Sequence, residues 1–227
     1  ATTEIYTLSL HDALPICEGS ETEIRYFKRF RTRDCNIDII PIPSQYKSAD
    51  KLVQKAGATI GYSPYYPDEG DQIWCVFDRD DNTNAMLAKA KQTAIKEGYH
   101  IAFSNPCFEI WFLLHFNNQT TAVENCDATI KLLKRKGRLE QYEKNTEVYD
   151  QLKPLQKTAI DRAKKRVSAL QPEGPISAVI LFSSILILIF FNACTCPYHR
   201  HISFTVITLL TDSSSSENTY LTKLQLN

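Results

Sequence analysis

The stretch QIWCVFDRDD, residues 72–81, constrains this chain more than any other. Five consecutive apolar residues, 73–77, run directly into Asp78, Asp80 and Asp81. A run without polar alternation suits a strand in the middle of a parallel sheet, covered by helices on both faces. Open α/β sheets gather functional groups at the carboxyl ends of such strands, beside the point where strand order reverses. The neighbouring signals agree with that setting. Residues 36–42 (NIDIIPI) read as a strand ended by Pro41 and Pro43, and a helix starts at Ser48 through Leu52, Val53 and Ala56. Residues 82–96 read as a helix facing Leu87, Ala90, Ala94 and Ile95 inward and closed by Gly98. Residues 99–104 read as a strand, with Asn105 and Pro106 as cap and first residue of the apolar helix CFEIWFLLHF. Two further apolar stripes, Val123/Cys126/Ile130/Leu133 and Leu155/Ala159/Ala163/Val167/Leu170, predict helices near the end. The expected fold class is α/β, Rossmann-like, with a mostly parallel sheet flanked by helices and a helical C-terminal part.

A second carboxylate stands in an equivalent place. Glu18 follows the short apolar run 14–17 and precedes a helix that a Ser20/Glu23 capping box is expected to open. If the two strands are neighbours, Glu18 meets Asp78 and Asp80. Carboxylates that close raise one another's pKa unless a cation compensates, and Mg2+ or Mn2+ is the ion for oxygen ligands. The competing reading of the D-x-D is a solvated turn whose aspartate caps the next helix. Glu109, among apolar neighbours, reads equally as a buried, paired carboxylate or a site residue. His115 could orient a water or polarise a phosphate; a hydrogen-bonded histidine at a helix end is the more frequent case. Arg25, Lys28 and Arg29 on the first helix are candidate phosphate contacts, although solvated helix faces look the same in sequence. Lysine and arginine total 26, as do aspartate and glutamate, so whole-chain charge favours no class of partner.

Three segments in order, CEGSETEIRYFKRF (17–30), WCVFDRDD (74–81) and FSNPCFEIWFLLHF (103–116), resemble the RloB-like family. The pattern of strand, Glu-Gly, helix, then strand and Asp-x-Asp is similar to the TOPRIM domain of primases, topoisomerases and nucleases. The resemblance covers about residues 16–170. It implies a TOPRIM-like fold, an association with restriction or abortive-infection loci, and a magnesium-dependent nuclease acting on DNA or RNA. Carried onto this chain, it makes Glu18 the general acid/base, Asp78 and Asp80 the metal ligands, and Asp81 an extra ligand. Other defence-locus proteins are implied as partners. A non-catalytic metal- and nucleic-acid-binding module is the alternative, and nucleotidyl transfer a third use of the same site.

Both ends read as foreign to the middle. Residues 1–16 show no helical or strand periodicity and no signal-peptide pattern, and read as a non-native leader. Residues 17–118 are expected to form the catalytic core, 119–172 a helical extension, and 173–227 an apolar segment and polar tail alien to the domain. Residues 176–191 are uncharged and approach the roughly 20 residues that span a bilayer. If 176–194 are genuine, a membrane anchor follows, with Lys164, Lys165 and Arg166 keeping the domain cytoplasmic. Otherwise a cytoplasmic protein is expected. Cys194, Cys196, His199 and His201 have metal-binding chemistry at an unusual zinc spacing. The seven cysteines show no disulfide framework, so buried, reduced thiols are expected.

Overall fold

The structure is a computed structural model that describes residues 11–30, 37–61, 65–79 and 82–169. Five strands, all parallel, make its sheet: β1 (His11–Cys17), β2 (Ile37–Ile39), β3 (Ile42–Pro43), β4 (Gln72–Asp78) and β5 (His100–Ser104). The order is β2–β1–β4–β5, with β3 pairing the far end of β1 beside β2. The strand expected over 36–42 is thus two short ones, and Pro41, with no N–H to donate, lies in the break. The strand before Glu18 begins at His11, so the expected boundary at residue 16 falls inside it.

Seven helices complete the described part: α1 (Thr22–Lys28), α2 (Ala49–Thr59), α3 (Asn84–Glu97), α4 (Glu109–Phe116), α5 (Cys126–Leu133), α6 (Tyr149–Leu152) and α7 (Gln156–Ala169). Strand side chains alternate between faces, and two cores follow from that. Leu14, Ile16, Ile73, Cys75, Phe77, Ile101 and Phe103 pack against α2 and α3. Ala13, Cys17, Trp74, Val76 and Ala102 face α1 and α4–α7. The helical extension therefore shares a core with the sheet. At its centre Tyr26 accepts from Trp111 Nε1 (2.8 Å) and Gln156 Nε2 (3.2 Å), ringed by Phe27, Phe30, Phe108, Phe112 and Tyr149.

Several local expectations are corrected. Thr83, not an earlier residue, caps α3 through Met86 N, and Ile95 is exposed, because the buried stripe is Leu87, Ala90 and Ala94. Asn105 is exposed and caps nothing; α4 opens at Glu109, after a cis Asn105–Pro106 bond. Cys107 and Cys126 are joined as a disulfide, whereas Cys17 and Cys75 are buried thiols. Nineteen residues separate the joined pair, and packing of α4 on α5 brings them together. No helix among the described residues is long and apolar enough to cross a membrane; residues 176–191 and the Cys194–His201 cluster lie outside them.

Phe112 is fully buried and touches Tyr26, Phe108 and Tyr142 across the shared core. Phe112→Ala should lower unfolding free energy by about 3–5 kcal/mol in urea titrations. A loss below about 1 kcal/mol would mean that this aromatic cluster contributes little to stability.

Candidate metal centre at the sheet switch point

From β1 the chain goes to one side for β2 and β3, then returns past β1 to β4 and on to β5. Strand order therefore reverses between β1 and β4. The register pairs Cys17, the last residue of β1, with Val76, so β4 runs two residues further and ends at Asp78 beside the segment that carries Glu18. Glu18 leaves β1 with its N–H on Val76 O (2.9 Å), and its Oε2 accepts from Asp78 N (3.2 Å). The ladder thus brings Glu18 beside Asp78, whereas Asp80, the third carboxylate expected there, lies outside the described residues.

Two more join them. Glu23 is buried, and its helix is capped at Glu21 without a side-chain hydrogen bond. The expected capping box is absent because helix α1 starts two residues after Ser20 and turns Glu23 inward. Gly19 makes room for it: a Cβ there would lie 2.7 Å from the Glu23 carboxyl carbon. Glu109, at the first position of α4, is buried and accepts from Tyr142 OH at 2.9 Å through Oε1. Glu23 is the site residue that the local sequence hid, since its spacing from Ser20 matched a cap. The Gly19 that precedes it was the available signal.

Burial and mutual repulsion dominate the electrostatics. Desolvation first, then Glu23, Glu109 and Glu18, push the Asp78 carboxyl well above its ordinary range, and the Phe108 amide offsets part of this. Glu23 is raised by desolvation and by Glu109, against its own backbone amide and Lys144 and Lys47. Asp78 Oδ1 is buried with no hydrogen-bond partner, an expensive condition for a carboxylate. A buried, partnerless oxygen among like charges is the chemistry of a cation ligand, so the residues present fit a hard divalent ion. Such an ion needs only one or two direct carboxylates and keeps several waters. Among the described residues these acidic groups do not close to a trio within 4.8 Å; the one group that does is Cys107, Glu109 and Cys126.

The surroundings hold the site in shape. Asn82 is buried between Asp78 O (2.8 Å from Nδ2) and Ala49 N (2.7 Å from Oδ1), tying the loop after β4 to the start of α2. Arg79 N donates to Ser104 O (2.8 Å), and its Nη1 is buried without a partner. Asp80 and Asp81 lie outside the described residues.

The other candidates stand elsewhere or are already engaged. His115 is six residues along α4 from Glu109, about 9 Å of helix. Its Nδ1 is hydrogen-bonded to Trp111 O (3.0 Å), its Nε2 is buried without a partner, and burial lowers its pKa to about 4. Arg25 pairs with Glu21 (2.6 Å) and Glu147 (3.8 Å), and Arg29 pairs with Asp150 (2.7 Å) while covering the Tyr149 ring. Lys28 is exposed. Closer to the carboxylates is Lys47, which sequence reading missed: its Nζ donates to Glu18 O at 2.6 Å.

Residues 14–189 match the family described as RloB-like protein. The chain belongs to the RloB-like family. The match extends past residue 171, where the resemblance had been expected to stop, into the apolar run, and it begins inside β1. No curated protein and no solved structure matches the chain.

A pH dependence follows from the raised carboxyls. The folded chain holds protons on Glu23 and Asp78 more tightly than the unfolded chain, whose values stay near 4.5 and 3.8. Their contribution to stability is complete below those ordinary values and is lost as pH rises through the raised ones. In chelator, Tm should therefore fall as pH climbs from about 4.5 toward neutrality. Asp78→Asn should flatten that fall; an equally steep decline in the variant would remove Asp78 as its source.

Proposed function

We propose that this RloB-like protein is a TOPRIM-type, magnesium- or manganese-dependent phosphodiesterase that cleaves DNA or RNA. The observation that carries the reading is the convergence of Glu18, Glu23 and Asp78 at the switch point, with Asp78 Oδ1 buried and unpartnered. Asp78 and Glu18 would hold the ion, with Asp80 and Asp81 from the adjoining segment. Once bound, the ion offsets the carboxylate repulsion and polarises a phosphate oxygen.

The chain's own groups have separable tasks. Glu18, aimed by the Asp78 N–H on its Oε2, would take or give a proton at the water or the leaving oxygen. Glu23, buried and raised in pKa, is the reserve proton holder beside it. Lys47, fastened to the Glu18 carbonyl, supplies positive charge at the rim, where a phosphate backbone would lie. Lys28 is the first-helix cation best exposed for such a contact, since Arg25 and Arg29 already face carboxylates. A role in restriction or abortive infection, with other defence-locus proteins as partners and a cytoplasmic setting, would accompany this reading and forms part of the same proposal.

One observation favours a second reading, a binding module completed by a partner: the described carboxylates do not close to a common ligation distance. Cleavage of labelled single- and double-stranded DNA and RNA separates the two. Asp78→Asn and Glu18→Gln should each cut metal-dependent turnover by roughly 100-fold or more while nucleic-acid binding persists. A folded, cation-binding chain that cleaves none of the four substrates would replace the enzyme reading with the module.

A further inference from the structure

We propose that Cys107, Glu109 and Cys126 form a zinc site whose oxidised form is the disulfide seen in the structure. The three come from separate places: Cys107 from the segment between β5 and α4, Glu109 from the first position of α4, and Cys126 from the first position of α5. Their ligand atoms all lie within 4.8 Å of one another. Cys126 Sγ is 3.5 Å from Glu109 Oε2. Zinc bonds of about 2.3 Å to sulfur and about 2.1 Å to oxygen, at a tetrahedral angle, place those two atoms about 3.6 Å apart.

The neighbouring groups suit such an ion. Tyr142 OH holds Glu109 Oε1 at 2.9 Å and leaves Oε2 turned to the sulfur, the outer-shell support that ligating carboxylates carry. Cys107 and Glu109 are buried and Cys126 is half-buried, so a fourth ligand such as water would have to come from the Cys126 side. Three protein ligands with one open position is a recurrent zinc arrangement. Thiolates select zinc over magnesium, which separates this site from the all-oxygen cluster. Glu109 lies close enough to Asp78 and Glu23 to raise both, so a cation here relieves charge that the fold concentrates.

The two forms differ by two electrons. A small-molecule disulfide accepts them: its S–S bond breaks to give two thiols, with two protons taken from solvent. The Cys107–Cys126 bond forms and the zinc ion is released. This site does not rest on the phosphodiesterase reading.

The test is zinc titration of the full-length chain, reduced with a phosphine, against a chromophoric chelator in excess magnesium. Because Cys194, Cys196 and the nearby histidines offer competing ligands, the chain carries C194S and C196S. One zinc per chain is expected, with affinity at least 100-fold weaker in C107S or C126S and weaker in E109Q. Cobalt should give a thiolate charge-transfer band in the parent chain, which decides the matter even if a cysteine variant fails to fold. Oxidised glutathione should release the metal. Absence of stoichiometric zinc from the folded, reduced chain, or equal affinity in the cysteine variants, would overturn the site.

Discussion

The parallel ladder between β1 and β4 is the constraint on which everything else depends. Five paired positions, from Ala13 opposite Gln72 to Cys17 opposite Val76, bring the carboxyl ends of both strands to one point. Side chains alternate along a strand, so a slip of one residue would send each apolar position to the wrong face. The same slip would separate Glu18 from the Asp78 amide. Burial on both faces of the central strands makes the register stringent, and the site inherits that stringency. The acidic cluster is thus positioned by hydrophobic packing some distance from the charges themselves.

That arrangement carries a cost. Placing Glu23, Asp78 and Glu109 in or near the interior removes carboxylates from water and sets like charges together. Other parts of the structure supply partial compensation. Tyr142 satisfies one oxygen of Glu109, Lys47 and Lys144 bring positive charge toward Glu23, and Asn82 fixes the backbone of the loop. Asp78 Oδ1 is left over. Among these carboxylates it is the oxygen that the surrounding side chains and amides do not compensate. Strain of this kind gathers at functional sites.

The helical extension belongs to the same economy of packing. Tyr142, which holds Glu109, and Gln156, which holds Tyr26, both come from beyond residue 119. Division into a catalytic core and an appendage is therefore a division of sequence only. Cys126 makes the same point, since α5 delivers it to the face of α4 that carries Glu109. The extension completes the walls around the carboxylates as well as covering the sheet.

Much of this was written in local sequence. The apolar run ending in Asp78 announces a central strand, because only burial on both faces accounts for five apolar residues without alternation. Helices α2, α3, α5 and α7 follow from their stripes, since a 3.6-residue period can be seen without knowing the partner. Glu18 and Asp78 were identifiable as strand-end carboxylates, and the family was identifiable from three motifs in order. Glu23, Lys47, Asn82 and the Cys107–Cys126 pair were not. Glu23 mimicked a capping residue, Asn82 a helix start, and the cysteines had no informative spacing. Gly19 was the one local signal for Glu23; for the others the decisive contact spans elements distant in the chain, and no local period or spacing encodes it. Sequence by itself determined which segments become strands and helices, because propensity and burial pattern are local. Tertiary structure alone decided which carboxylates share a site and which sulfurs meet, because electrostatic coupling and ligation depend on distance in space.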